Sequence, residues 1–285
     1  MHRIDGPGAT VDNKFTDGDP VGGVQATMVT DDWLNDVQEN IMSVLVAAGV
    51  APTKGRAADL LDSIKALARG RLIGVQVFNT PGTFTYTPSL GMGSVVPEVQ
   101  GGGAAGAGLT TPSAGNVSLG APGTSGSYAK ARILAAAIGA SQTITVGAGG
   151  VAALNAPGGN GGSSSVGSLI TAQGGLGGGI LNNQAPGASN GNGGLAGTPT
   201  GGNIFQSVGS CPFLSTSISA GSAQAGGGGA SIFGNGGTPA ILNAPGVAAA
   251  NYGAGGSGCA AGSGGAPQKG GDGKGGIVIM WEYAA

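Results

Sequence analysis

Gly101-Gly102-Gly103-Ala104-Ala105-Gly106-Ala107-Gly108 is the stretch whose reading decides the fold. Glycine inside a regular helix or strand costs roughly 0.5–1 kcal/mol relative to alanine, so neither element is built from such a run. Two readings remain. One is a flexible glycine/serine linker. The other is a set of extended segments of the polyproline-II kind, with three residues per turn and no internal hydrogen bonds. Segments of that kind bond to one another only when their backbones come very close, and the missing Cβ of glycine permits this. About 12 residues would then span roughly 37 Å. Similar tracts occur at 147–150, 158–162, 174–179, 191–197, 226–229, 253–265 and 270–276, with Ala, Ser and Thr filling in. Ile, Leu, Phe and Pro recur at their ends, which favours a closely bonded array over a linker.

The tract ends carry a loose repeat. Leu119-Gly120-Ala121-Pro122-Gly123, Leu154-Asn155-Ala156-Pro157-Gly158, Leu181-Asn182-Asn183-Gln184-Ala185-Pro186-Gly187 and Leu242-Asn243-Ala244-Pro245-Gly246 are variants of one turn. A period near 30 residues predicts a unit that runs out and comes back.

Composition narrows the function classes. Glycine and proline total 79 of 285 residues, and charged residues are only 8%. The net charge of −2 gives no basic field for nucleic acid. No apolar run of about 18 residues is present, so no membrane insertion is expected. Disordered chains are usually rich in charge, which this one is not. Glycine does not fall at every third position, which excludes collagen. Between Ile133 and Gln268 there is no Asp, Glu, Lys or Arg, whereas residues 1–71 hold most of the charge of both signs.

This contrast divides the chain into an extended arm (1–29), a helical attachment and oligomerisation module (30–71) and a glycine-rich domain (72–285). Thr30 is placed to cap a helix, with Asp31 and Asp32 in its first turn. Trp33, Val37, Ile41, Val44 and Ala48 form one apolar stripe, and Gly49 and Pro52 end the helix. A second helix is expected from Arg56 to Arg69, with Leu60, Leu61, Ile64 and Leu67 on its apolar face. Two such helices bury too little surface alone, so self-association or a partner is expected. The Gly-Pro and Asp-Gly punctuation of 1–29 reads as an arm able to wrap a neighbouring subunit.

Beyond residue 72 the strand candidates are 75–78, 83–87, 94–99, 128–133, 142–146, 168–171 and 276–283. Pro97 is expected to demote the third to a sheet edge. The last, with Ile277-Val278-Ile279-Met280-Trp281, is expected to return beside the first strands. The predicted fold class is mainly β or irregular with a small α-helical N-terminal module. Its short-stranded β domain carries a polyglycine-II-like array.

Chemistry is scarce. His2 is the only histidine, which leaves no histidine-based triad in the glycine-rich domain. After residue 71 the only carboxylates are Glu98, Asp272 and Glu282, a poor basis for a two-carboxylate hydrolase. The GxGxxG match at 253–258 follows from glycine frequency. Cys211 and Cys259 have no metal-site spacing and are expected as buried thiols. No catalytic residue, metal or cofactor is expected. Met1-His2-Arg3-Ile4-Asp5-Gly6 lacks the apolar run of a secretory signal, so synthesis and assembly in the cytoplasm are expected.

The residues suited to binding are apolar groups and amides at the turns. They are Leu154 and Asn155, the run Ile180, Leu181, Asn182 and Asn183, then Phe205 after Ile204, Phe213 and Leu214, Phe233, Leu242 and Asn243 after Ile241, and Asn251 with Tyr252. The aliphatic ones have a competing role as plugs at the ends of the array. Aromatic and amide groups on loops are suited to uncharged recognition of sugars or protein loops.

The N-terminal stretch, Met1-His2-Arg3-Ile4-Asp5 with Phe15-Thr16-Asp17-Gly18-Asp19-Pro20 and Trp33-Leu34-Asn35-Asp36-Val37-Gln38-Glu39-Asn40-Ile41, resembles the start of tail-fibre proteins of tailed bacteriophages and prophages. The remainder is similar to the glycine-rich domain of phage tail proteins and adhesins. The matching residues are Gly82-Thr83-Phe84-Thr85-Tyr86-Thr87-Pro88, Val99-Gln100-Gly101-Gly102-Gly103, Thr143-Ile144-Thr145-Val146-Gly147 and Gly273-Lys274-Gly275-Gly276-Ile277-Val278-Ile279. Pro97 and Glu98 depart from that pattern by interrupting an apolar strand. The resemblance implies a virion protein, expected as a homotrimer. Its N-terminus would dock on tail or baseplate proteins. Its distal loops would bind a bacterial surface receptor: a polysaccharide, an outer-membrane protein or a pilus. Two alternatives stand beside it: a purely structural fibre or spacer, and a surface-polysaccharide depolymerase.

Overall fold

The computed structural model describes residues 2–191 and 196–285. The glycine tract at 191–197 therefore lies partly outside the described residues. The chain divides into two compact units, Met1–Arg71 and Leu72–Ala284. Among the described residues no helix is long and apolar enough to cross a membrane.

In the first unit, α1 spans Asp31–Ala48 and α2 spans Asp59–Leu67. Thr30 Oγ1 accepts from the Trp33 N–H at 3.4 Å, and Gly49 ends α1 in the left-handed region at φ 69°. The second helix starts three residues later than Arg56. Asp59 turns its carboxylate back to accept from Thr53 N at 2.7 Å and from Arg56 Nη1 at 3.0 Å, which holds 53–58 as a loop. Residues 2–29 double back on themselves. Met28 N donates to the Pro7 carbonyl at 2.8 Å, and Asp19 and Val24 exchange bonds at 2.8 and 2.9 Å.

The second unit is mainly β, with one four-residue helix, α3 (Ala135–Ile138). Its base is two sheets. One has the order Leu72–Phe78, Ile277–Ala284, Met92–Gln100, Tyr128–Lys130, Phe205–Ser207, with Ile133–Leu134 also on Met92–Gln100. The other has the order Gly82–Tyr86, Gln142–Val146, Ser164–Val166, Ile170–Ala172. Their inner faces share one core, including Val95, Val99, Ile144, Val166, Val278 and Met280. The last strand does return between the first and third, pairing Val278 with Phe78 and with Val99.

The strand with Pro97 is not an edge. It lies at the centre of its sheet, paired on both sides. Pro97 is tolerated because its nitrogen faces the break between Tyr128–Lys130 and Ile133–Leu134. There Ala131 N donates to the Pro97 carbonyl at 3.2 Å, and only one ladder bond is forgone.

The glycine tracts rise from this base as a bonded array. Successive N–H groups of residues 101–109 donate to three different segments in rotation. Gly101, Ala104 and Ala107 donate to Ser127, Thr124 and Ala121 at 2.9–3.0 Å. Gly102, Ala105 and Gly108 donate to Gly162, Gly159 and Ala156 at 2.9–3.0 Å. Gly103, Gly106 and Leu109 donate to Lys274, Gly271 and Gln268 at 2.7–2.9 Å. The carbonyls of Gly102, Gly103 and Ala104 accept from Gly175, Gly150 and Gly256, which are three further segments. One rod is thus bonded to six neighbours. Glycine is required for closeness: a Cβ on Gly103 would lie 1.9 Å from the Ala254 carbonyl oxygen, and on Gly106 2.0 Å from that of Ser257. At the far end two three-stranded sheets close the array, centred on Val117–Gly120 and on Ser215–Ser219.

Candidate functional site

Each rod that leaves the base ends in a turn at the far end. Asn155 and Asn243 hold two of those turns in the left-handed region, at φ 48° and 58°, and Asn183, at φ 54°, makes a bulge in the strand Ile180–Gln184 just before a third. Asparagine reaches this region at lower cost than other side chains. The same amides stitch the turns together. Asn182 Nδ2 donates to Asn155 Oδ1 at 3.3 Å, and Asn182 Oδ1 accepts from Thr110 N at 3.3 Å. Asn183 Oδ1 accepts from Ser113 N at 2.8 Å, and Asn243 Oδ1 from Gly262 N at 2.8 Å. Gly115 N donates to Ser263 Oγ, and Ser263 N to the Ala220 carbonyl. The loops around 110–118, 152–156, 180–190, 214–224, 241–246 and 261–266 therefore form one connected tip. None of these residues carries a charge.

The predicted binding residues are split by this geometry. Leu154, Phe213 and Leu214 stand exposed at or near the tip, Phe213 at 81%. Leu181 and Leu242 instead pack against buried Leu119, Ala225 and Ala260, and Ile180 against Leu109 and Cys259. They act as plugs under the tip. Phe205, Phe233 and Tyr252 lie at the opposite end, beside the base, where they surround Tyr128. Ring centroids are 6.0 Å apart for Tyr128–Phe205, 6.4 Å for Tyr128–Phe233 and 6.4 Å for Phe233–Tyr252. Asn251 shares that end, its amide donating to the Asn235 carbonyl at 2.9 Å. Turns at opposite ends look alike in sequence, and only the out-and-back path separates them.

Ile218 is the tip residue that sequence reading missed. It is 84% exposed on the Ser215–Ser219 strand, which pairs with Ser222–Gln224; Gln224 in turn bridges to Ile241, itself 77% exposed. A lone isoleucine in Ser-Thr-Ser-Ile-Ser was the available signal. Below it, a groove of about 450 Å³ runs along the array between Cys211–Phe213 and Asn235–Pro239. Cys211 is exposed there, contrary to the expectation of two buried thiols. Cys259 is buried, points its thiol at the Ala107 carbonyl at 3.1 Å, and has its pKa pushed up to about 12 by burial.

The three carboxylates of this unit are each engaged by other residues of the fold. Glu98 pairs with Lys130 at 2.8 Å. Asp272 accepts from Ala152 N at 2.7 Å and pairs with Lys269 at 3.2 Å. Glu282 is buried and accepts from the Tyr86 hydroxyl at 2.6 Å, Ser89 Oγ at 2.5 Å and Ser89 N at 3.1 Å. Burial pushes its pKa up, but these donors outweigh burial and hold it below the usual carboxylate range. Burial, then Glu282, push the Tyr86 hydroxyl well up.

In the first unit, Trp33 meets Phe15 edge-on at 5.2 Å, and Val37 and Val44 are half-buried. Leu45, outside the predicted stripe, is the buried residue of α1. Ile41, Leu60, Leu61, Ile64 and Leu67 are exposed at 39–54%, so the apolar face of α2 is only partly covered within its unit, although α2 packs against α1.

The chain is 37% identical over 100 residues to an uncharacterized protein, StfP, of Escherichia coli strain K12; the match covers 33% of this chain and 48% of that protein. The chain thus spans about half the length of the curated relative it matches. The family described as Glycine-rich domain matches residues 79–282, from the end of the first base strand to the middle of the last. With the array, its tip and all of its base but the first strand and the end of the last inside that match, the chain belongs to the glycine-rich domain family.

Proposed function

We propose that this protein is a tail-fibre component of a bacteriophage or prophage virion, assembled in the host cytoplasm. Residues 1–71 dock on the tail or baseplate and associate as a homotrimer. The tip of the glycine-rich domain binds a receptor on the bacterial surface, without catalysis. The observation that carries this reading is the connected, uncharged tip with Phe213, Ile218 and Ile241 exposed on a stiff array. Such a surface recognises by apolar contact and by amide and backbone hydrogen bonds. A rigid tip also loses little conformational entropy on binding. The period-three rotation of bonds supports a polyglycine-II-like lattice as the source of that stiffness. The half-exposed apolar face of α2 supports self-association. Family membership and the likeness to StfP are consistent with the resemblance of the N-terminal stretch to tail fibres.

The test uses the full chain fused to a fluorescent protein, applied to bacterial strains with defined surface mutants. Labelling should be selective and should vanish with one surface component, whether polysaccharide, outer-membrane protein or pilus. The triple variant F213A/I218A/I241A should label at least tenfold less while melting like the parent. A folded fusion that labels no strain would overturn the reading in favour of a structural fibre or spacer.

A further inference from the structure

A pocket of about 370 Å³ opens on the first unit beside the start of α1. Its floor is apolar: Ile4 is 2% exposed, and Phe15 and Trp33 meet edge-on. Its rim is cationic, carrying His2, Arg3 and Lys14. His2 is already engaged, with Nδ1 2.7 Å from Asp36 Oδ2 and Nε2 3.4 Å from Asp5. Arg3 and Lys14 have no carboxylate within 4.0 Å among the described residues, although residues 1–71 hold ten carboxylates against seven lysines and arginines. Arg3 reaches only the Asp12 carbonyl, at 3.4 Å. Lys14 is fixed by a tight turn: its N–H donates to Thr10 Oγ1 at 3.0 Å, its carbonyl accepts from Thr10 N at 3.0 Å, and Asn13 supplies φ 54°. Lys54, Lys65, Arg69 and Arg71 likewise have no carboxylate partner among the described residues, but only Arg3 and Lys14 stand at the mouth of the aromatic pocket.

We propose that this pocket docks a peptide segment of another particle protein, in which an acidic residue lies beside a large apolar one. The apolar side chain covers Phe15 and Trp33, and the carboxylate pairs with Arg3 and Lys14. A small anion would leave the floor uncovered, and a purely apolar ligand would leave the rim unpaired. Apolar burial supplies most of the affinity, and charge supplies selectivity and a salt dependence. The proposal rests on the reading of residues 1–71 as the attachment module and names the chemistry of its partner.

The experiment is fluorescence polarisation with the full chain and three fluorescein-labelled octapeptides. These are Gly-Ser-Glu-Leu-Glu-Phe-Ser-Gly, the same peptide with both Glu replaced by Lys, and the same with Leu and Phe replaced by Ser. The first should bind at least tenfold more tightly than either control and weaken as salt rises. R3E/K14E and, separately, F15A should each lower its binding at least tenfold with an unchanged melting profile. Equal binding of the lysine peptide, binding indifferent to R3E/K14E, or no binding of the first peptide would overturn the proposal. So would binding that disappears on dilution of the chain because a second copy forms the pocket. Incorporation of R3E/K14E into particles separates the two claims. Peptide binding lost with incorporation intact leaves the pocket standing and refutes its role in attachment.

Discussion

Gly178→Ala and Gly179→Ala add one methyl each to adjacent positions of the same glycine tract, yet their consequences should differ widely. A Cβ on Gly178 would lie 1.8 Å from the Ala121 carbonyl oxygen and 2.6 Å from its carbon. A Cβ on Gly179 meets nothing within 4 Å. To restore an ordinary contact of 3.4 Å, the rods carrying Gly178 and Ala121 must part by about 1.6 Å. The bonds between them, Ala121 N to the Gly179 carbonyl at 2.9 Å and Thr124 N to the Leu176 carbonyl at 3.1 Å, are then out of range. Leaving buried backbone groups unpaired costs about 1–3 kcal/mol each, so Gly178→Ala should cost roughly 4 kcal/mol. For a domain of this size that lowers Tm by about 8–16 °C. Gly179→Ala should lie within about 0.5 kcal/mol of the parent. Differential scanning calorimetry of the full chain, following the larger transition, reads both. A Gly178→Ala protein that melts with the parent, or two variants that fall together, would refute close approach as the reason for glycine here.

Glu282→Gln should cost about 1–3 kcal/mol at neutral pH, because its charge-assisted bonds to Tyr86 and Ser89 weaken. The folded pKa of Glu282 lies below its ordinary 4.5, so its stabilisation is full above that value and is lost as pH falls through the folded pKa. The stability difference between parent and E282Q should shrink on acidification; denaturation curves that stay parallel from pH 7 to pH 3 would contradict this. Cys259 should resist a thiol reagent at neutral pH in the native chain and react once denaturant opens the array, because burial keeps its thiol protonated. Peptide mapping by mass spectrometry that finds native Cys259 modified quickly would sink that assignment.

Local signals read well where one residue type solves one local problem. Thr30 and Gly49 bound α1 in the sequence and in the structure, because an N-cap acceptor and a left-handed terminator act within one turn of chain. The strand Gln142–Val146 has the limits its alternation and flanking residues predicted. Signals failed where a distant partner decided the outcome. Pro97 reads as an edge residue, yet a break in the neighbouring strand leaves room for it at the centre. Arg56 reads as the start of a helix, yet the Asp59 side chain ties it into the preceding loop. Leu242 and Leu154 occupy the same place in the turn repeat, yet one is a plug and the other is exposed.

By itself the sequence favoured tracts that pack backbone to backbone over a flexible linker, and the close approach at Gly103 and Gly106 bears this out. It also marked three of the far-end turns, at 154–156, 186–187 and 242–244, and showed that the tip carries no charge, but the like stretch at 119–123 runs straight from strand into rod. Only the tertiary structure decided which rod neighbours which, and to which end each turn belongs. Glycine segments have no side chains with which to choose a partner, so every pairing of them is nearly equivalent. Their order is imposed by the base strands, whose side chains fix register in a shared core, and by the tip sheets that close the other end.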